Sequence, residues 1–212
     1  MSDAVLIREL RSSDRADFIA VMAEAFEKDP LFLTAFGARG EGGWERRVAS
    51  FLSFMFDMNR LMQGTPRGLF VNGRLCACVL LDPPVSRLAS AAGAFASALR
   101  FVPVASTLPM RATAFLNTYT KRTRVAAPRG PHGYLVMIGV LPQMQGCGFG
   151  RRMVEDAITR TRDDPSATGI ALDTENDANV RLYEGWGFRK RASLDLGGVH
   201  AHCMFLPFGE PE

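Results

Sequence analysis

Three alternating glycines separate an apolar segment from an amphipathic one and constrain this chain more than any other feature. They are Gly146, Gly148 and Gly150. Residues 134–140 (YLVMIGV) predict a buried strand, and apolar side chains recur at helical spacing after Gly150. The first amides of a helix lack internal partners, and glycine allows both positive φ and close backbone approach. The sequence therefore predicts an anion site, suited to a polyphosphate, where this helix begins.

The glycine spacing argues against two common nucleotide-binding loops. A dinucleotide-binding turn needs G-x-G-x-x-G, and a Walker A loop needs Gly-Lys-Ser or Gly-Lys-Thr, and this segment has neither. It matches Q-x-x-G-x-G instead, through Gln145, Gly148 and Gly150. Taken alone, the motif leaves a plain glycine-rich loop open as the alternative.

A second motif lies downstream, after one further predicted strand at residues 169–173 (GIALD). It has the pattern N-x-x-N-x-x-L-Y followed by G-F. Asn176 or Asp177 is placed to cap a short helix, and Gly187 to end it. Phe188 then begins the next strand, and we expect its ring to pack into the core.

In this order, the two motifs resemble those of the GNAT superfamily of N-acetyltransferases. Asn179, four residues before Tyr183, also occurs in the branch that includes puromycin N-acetyltransferase. The resemblance is most specific over residues 134–188 and implies a single domain over residues 1–212. It implies an α/β fold with a central, mixed, mostly antiparallel twisted sheet of about six to seven strands. Helices would cover both faces, and the sheet would be splayed at the cofactor strand.

The resemblance also implies acetyl-coenzyme A as cosubstrate and no metal. In the family, the glycine turn wraps the pyrophosphate, and the splayed strand hydrogen-bonds the pantetheine arm. The Val140 N–H is then a candidate donor to the thioester carbonyl oxygen. The implied cofactor-binding residues are Ile138, Gly139, Val140, Gln145, Gly146, Cys147, Gly148, Phe149, Gly150, Arg151, Asn176 and Asn179. Gly139 in an apolar strand also indicates a bulge or a close approach.

Tyr183 is the candidate general acid. When an amine attacks a thioester, the intermediate expels a thiolate, and a phenol held near the sulfur can protonate it. The family's tyrosine at this position has that role. The alternative is an aromatic side chain that only packs in the core.

The general base is less well defined, because the strand before the glycine turn lacks the glutamate that the family often uses. Asp173 and Glu175, at the end of the following strand, are the candidates. Weaker candidates are the three histidines, His132, His200 and His202. Asp29 could instead recognise a cationic acceptor.

The rest of the chain predicts the elements that precede the motifs. These are a strand at 4–9, a helix at 14–28 broken by Asp29-Pro30, a turn-rich stretch at 31–43, a helix at 44–62 and a hairpin turning at Asn72-Gly73. Residues 82–133 predict a helical insertion, with helices at 86–101 and 110–125, that covers the acceptor site. Lys121, Arg122, Arg124 and Arg129 form a basic cluster, interpreted as a solvated helix end or as a guide for coenzyme A phosphates.

Composition restricts the class of protein. The 212 residues are 47% hydrophobic and 22% charged, with a net charge of +3, which is typical of a soluble domain and does not call for nucleic acid. No signal peptide or membrane span is evident, so we expect a cytoplasmic monomer or homodimer without a membrane partner. Cys76 and Cys78 are expected on one strand face as reduced thiols, and their spacing is not a zinc framework.

These observations predict an acetyl-coenzyme-A-dependent N-acetyltransferase that acts directly on a primary amine, with a small molecule as acceptor. Two alternatives stay open at this point. One is a non-catalytic acyl-coenzyme-A sensor or interaction module, and the other is a protein N-acetyltransferase with an open acceptor groove.

Overall fold

One seven-stranded sheet and six α-helices organise residues 4–84 and 107–209, which the computed structural model describes. The strands are β1 (Val5–Glu9), β2 (Arg67–Val71), β3 (Arg74–Asp82), β4 (Gly133–Val140), β5 (Gly169–Thr174), β6 (Arg189–Leu196) and β7 (Val199–Pro207). The helices are α1 (Arg15–Ala25), α2 (Pro30–Phe36), α3 (Trp44–Leu61), α4 (Met110–Ala126), α5 (Phe149–Arg162) and α6 (Asp177–Glu184).

The sheet is mixed and mostly antiparallel, as predicted. Its order is β1-β2-β3-β4-β5-β7-β6, and among the strands described only β4 and β5 pair in parallel. Side chains of β3 alternate between two cores: Cys78 and Leu80 face α1–α3, whereas Ala77 and Val79 face α5 and α6. Helices therefore cover both faces of the sheet, which confirms the predicted fold class.

The β2–β3 hairpin has the predicted turn, but β3 is less regular than expected. Asn72 and Gly73 have φ of 50° and 81°, as a type I′ turn requires. Further along, Leu69 pairs with Ala77 and Phe70 with Leu75, so Cys76 is the extra residue of a bulge. The prediction that Cys76 and Cys78 share a face is therefore wrong, because the bulge places them in different cores.

Helix α2 is absent from the prediction, which treated residues 31–43 as turns. Asp29 accepts hydrogen bonds from the amides of Leu31 and Phe32 at 2.9 and 3.2 Å, and Pro30 occupies the first turn. The helix predicted at 14–28 already ends at Ala25, before Asp29-Pro30. Asp-Pro instead begins the next helix, since proline is tolerated where no helical N–H bond is needed.

The two parallel strands separate after a short contact. Pairing of β4 with β5 runs from Gly133 opposite Ile170 to Leu135 opposite Leu172, although β4 continues to Val140. Gly139 lies where α1 approaches the strand: a Cβ there would lie 2.6 Å from Met22 Sδ. The sequence predicted a bulge or a close approach at Gly139, and the structure has the close approach. The β4 bulge is three residues earlier, at Val136.

The motif helices begin and end as predicted. The Asn176 side chain accepts from the Ala178 amide at 2.8 Å, which caps α6. After α6, Gly187 has φ of 93°, and the Phe188 amide donates to the Tyr183 carbonyl at 3.0 Å, as in a Schellman motif. Phe188 is 2% exposed and lies in the core.

The predicted insertion is described only in its second half. Helix α4 matches the expected helix at 110–125, whereas the one predicted at 86–101 lies outside the described residues. Within the ranges described, no helix is both long and apolar enough to cross a membrane.

Candidate active site

The glycine turn presents a row of unpaired amides. Gly146 and Gly148 have φ of 79° and 77°, and the first hydrogen bond into α5 runs from the Arg152 amide to the Gly148 carbonyl. Among the residues that the structure describes, no acceptor is bonded to the amides of residues 146–151. These exposed N–H groups at the positive end of a helix dipole form a site for an anion.

The strand leading into the turn offers a second set of backbone groups. The Leu141 amide donates to the Cys76 carbonyl of β3 at 2.9 Å. Because hydrogen-bonding direction alternates along an antiparallel strand, the N–H and C=O of Val140 point the other way, towards the side that β5 has left. Gln145 Nε2 lies 3.4 Å from the Val140 carbonyl oxygen and links this edge to the turn.

A cavity of about 820 Å³ opens where β4 and β5 separate. Helices α3 and α4, the start of α2 and the ends of β4 and β5 form its walls. Five residues predicted from the sequence to bind or react line it: Ile138, Asp173, Glu175, Asn179 and Tyr183. Asp29 lines it as well.

Tyr183 is both a core residue and a residue of the cavity lining. Its ring is 6% exposed and lies 5.6 Å from the rings of Trp186 and Phe188, so it does pack in the core. Its side chain also lines the cavity, and its hydroxyl makes no hydrogen bond within the described parts of the chain. Burial, followed by the charges of Glu175 and Asp173, raises its pKa, so the phenol keeps its proton at neutral pH.

Two tyrosines hold the carboxyl groups at the end of β5. The Tyr119 hydroxyl donates to Asp173 Oδ2 at 2.5 Å and contacts Glu175, and the Tyr134 hydroxyl donates to Asp173 Oδ1. Burial raises the pKa of Asp173. Burial and the charges of Asp29 and Asp173 raise the pKa of Glu175 to about 8. A carboxyl with this pKa is mostly protonated at neutral pH, and its ionised fraction, which can accept a proton, grows as the pH rises towards 8.

Sequence reasoning missed Tyr119 and Tyr134. Both are ordinary aromatic residues of a predicted helix and a predicted strand, and no local signal marks either. Arg124 was assigned to a basic cluster, yet it bonds Asp82 at 2.5 Å and its guanidinium lies 3.6 Å above the Tyr134 ring. Arg124 is therefore part of the cavity wall, whereas Lys121, Arg122 and Arg129 are exposed.

The three histidines lie outside the cavity lining. His202 is buried between Asp177 Oδ1 at 2.9 Å and Ser193 Oγ at 3.2 Å. His200 lies 2.7 Å from Asp195 Oδ1, and His132 lies 2.8 Å from the Gly130 carbonyl oxygen. Each histidine therefore has a hydrogen-bond partner away from the candidate acid and bases.

Most of the other predicted cofactor residues lie in the turn or in the first residues of α5, whereas Asn179 lies on α6. Phe149 and Gly150 begin α5, and Arg151 is exposed and bonds Glu155 at 2.8 Å. Cys147 is exposed, and Asn179 Nδ2 lies 3.4 Å from Thr174 Oγ1. In the ranges described, no three His, Cys, Asp or Glu side chains are grouped to hold a metal ion.

This fold and site define an acyl-transferring class of protein, and comparison with known families agrees. Residues 69–188, more than half of the chain, match the model of the Acetyltransferase (GNAT) family. The protein belongs to the GNAT acetyltransferase family.

Individual relatives are distant. A mycothiol acetyltransferase from Paenarthrobacter aurescens (strain TC1) is 34% identical over 70 residues, 31% of this chain and 22% of the relative. The chain thus spans about a fifth of the length of this curated relative.

Solved structures share the fold along nearly the whole chain. One, described as histone acetyltransferase HPA2 and related acetyltransferase from Corynebacterium glutamicum, is 19% identical with a TM-score of 0.67, over 100% of this chain and 99% of that one. PaiA N-acetyltransferase from Thermoplasma acidophilum in complex with coenzyme A is 13% identical with a TM-score of 0.60, over 97% and 99%. At these identities the likeness concerns the fold.

Proposed function

We propose that this protein is an acetyl-coenzyme-A-dependent N-acetyltransferase that acts on the primary amine of a small molecule. The observation that carries the proposal is that Tyr183, Asp173 and Glu175 line one cavity at the point where β4 and β5 separate. A proton donor and two candidate proton acceptors thus lie at the open edge of β4, the strand that leads into the turn of free amides.

The donor fits the residues that are present. The free amides of residues 146–151 suit a pyrophosphate, and the Val140 edge offers an N–H and a C=O to the amide groups of a pantetheine arm. Coenzyme A in the Thermoplasma structure and the name of the mycothiol acetyltransferase support the same donor. Bound acetyl-coenzyme A supplies an acetyl thioester.

Each reacting group then has one task. Glu175, or Asp173, takes a proton from the ammonium so that the nitrogen can attack the thioester carbon. The C–N bond forms, the C–S bond breaks, and the Val140 N–H is placed to stabilise the carbonyl oxygen during the change. Tyr183 protonates the departing sulfur, and the second proton released by the nitrogen restores the phenol.

A narrower assignment belongs to the same proposal. Asn179, four residues before Tyr183, supports the branch that includes puromycin N-acetyltransferase. We also propose that the protein is cytoplasmic. The acceptor site would be completed by residues 82–133, of which α4 lines the cavity.

Thiol release from acetyl-coenzyme A across a panel of amines tests the function. We expect steady turnover with at least one small primary amine, and an acetylated product by mass spectrometry. Tight coenzyme A binding without turnover on any amine would instead favour an acyl-coenzyme-A sensor. Turnover only on proteins or peptides would favour a protein acetyltransferase.

A further inference from the structure

Part of the cavity lining is acidic, and among the described residues no cation is bonded to its carboxyl groups. Asp29, Asp173 and Glu175 all line it. In the described residues, the hydrogen bonds to these carboxyl groups come from neutral donors, which are backbone amides and hydroxyls. Arg124, the cation among the described lining residues, is bonded to Asp82 at 2.5 Å, and its charge also acts to lower the pKa of Asp173.

The three carboxyl groups are close enough to repel one another. The charge of Asp173 raises the pKa of Asp29, after the larger effect of burial. The charge of Asp29 in turn contributes to the raised pKa of Glu175. Like charges in a poorly hydrated site are stabilised when an opposite charge binds among them. A ligand that brings one ammonium group would supply that charge.

Another part of the lining of the same cavity is made of carbon and sulfur. It includes Phe26, Phe51, Phe54, Met55, Met58 and Leu116. Five of these six are only partly buried against the core, so they retain surface towards the cavity. Aromatic and methionine side chains contact rings well, and methionine adapts to varied shapes. A second charge or a carboxylate placed here would lose its hydration without gaining a partner.

We propose, building on the function above, that the acceptor is an amphipathic primary amine with a single ammonium group at one end and an apolar, aromatic body at the other. Asp29 selects the positive charge, and the Phe and Met wall selects the body. The second ammonium group of a polyamine, or the carboxylate of a free amino acid, would lose its hydration against the Phe and Met wall, so both kinds of acceptor are excluded. A cavity of about 820 Å³ has room for such a body beyond the reacting groups.

Four matched acceptors test this. Phenethylamine has the ring and one charge, putrescine has two charges and no ring, and L-phenylalanine and L-phenylalaninamide differ only in a carboxylate. We expect kcat/KM for phenethylamine and L-phenylalaninamide to exceed that for putrescine and L-phenylalanine by about tenfold or more. Preference for putrescine, for L-phenylalanine or for a peptide amine would overturn the inference while the acetyltransferase function stands. No product from any amine would contradict the function itself.

The variant Asp29→Asn separates charge recognition from helix capping. Asparagine still caps α2 through its side-chain oxygen but has no charge. We expect the KM for phenethylamine to rise about tenfold, with the KM for acetyl-coenzyme A and the melting temperature nearly unchanged. An unchanged KM for phenethylamine would overturn the role of Asp29.

The variant Met58→Gln tests the apolar wall. It should lower kcat/KM for phenethylamine more than that for putrescine. Equal effects on the two amines would overturn selection by this wall. Lys190→Gln, at an exposed position of the edge strand β6, is the control and should change neither value.

Discussion

The Tyr119 hydroxyl lies 2.5 Å from Oδ2 of Asp173. The same hydroxyl contacts Glu175 Oε1. A phenol has one proton and can donate it fully to only one carboxylate at a time. The two carboxyl groups therefore compete for one phenol proton. Burial and the charges of Asp29 and Asp173 outweigh this hydrogen bond and raise the pKa of Glu175 to about 8, so Glu175 holds a proton at neutral pH.

Tyr119→Phe should shift the pH dependence of turnover. The hydrogen bond from Tyr119 lowers the pKa of Glu175, so its loss should raise that pKa further. We expect the acidic limb of the kcat/KM profile to move up by about one pH unit. Tyr134→Phe is the matched control, because Tyr134 bonds Asp173 and not Glu175, and it should shift the limb less. Coincident profiles for Tyr119→Phe and wild type would exclude this positioning role.

Tyr183→Phe should remove the proton donor while keeping the ring between Trp186 and Phe188. We expect kcat to fall by about 10² to 10⁴-fold, the range for a general acid. The KM for acetyl-coenzyme A should change little, as measured by steady-state thiol release. If kcat were unchanged, the tyrosine would be a core residue only.

Glu175 should set the acidic limb of the rate profile. If its carboxylate accepts the amine proton, kcat/KM rises with pH and levels off above about 8. Glu175→Gln should lower the plateau and remove this limb. A limb that persists in Glu175→Gln would assign the base to Asp173 or to the amine itself.

Glu175 should also make stability depend on pH. Its pKa rises from an ordinary 4.5 to about 8 on folding, so the folded state binds more protons than the unfolded state between these values. The stabilisation from protonated Glu175 is complete below pH 4.5 and is lost as pH rises towards 8. As the pH rises through this window, the melting temperature of wild type should fall relative to that of Glu175→Gln. The fall should be about 2–4 °C for each kcal/mol of unfolding free energy lost. If the melting temperatures of the two proteins changed with pH by the same amount, this prediction would be contradicted.

Gly148→Ala should weaken the donor site. Gly148 has φ of 77°, where a Cβ costs about 1–2 kcal/mol. Relief of this strain would rotate the amides that follow, so we expect the KM for acetyl-coenzyme A to rise while the KM for the amine changes little. Gly42→Ala is the control, because Gly42 has no positive φ and a Cβ there meets nothing within 4 Å. Equal KM values for acetyl-coenzyme A in the two variants would argue against an anion site in the turn.

Signals within short segments predicted most of the fold. The type I′ turn at Asn72-Gly73, the cap at Asn176 and the glycine at 187 each depend on a few neighbouring residues, and each is present. Helix α2 and the Cys76 bulge were missed. An Asp-Pro pair is compatible with the end of one helix and with the start of another, so it did not by itself predict α2. A bulge depends on pairing with a strand elsewhere in the chain.

The sequence alone determined the family, the fold class and the turn that suits a polyphosphate, because glycine spacing, capping residues and apolar periodicity act over a few residues. It also named Tyr183, Asp173 and Glu175, through one contiguous motif. Only the tertiary structure brought Tyr119 and Tyr134 to Asp173, across 54 and 39 residues of chain. It also decided that Asp29 faces the same cavity. The packing of α2 and α4 against each other and against β7 sets those distances, and no local pattern encodes them.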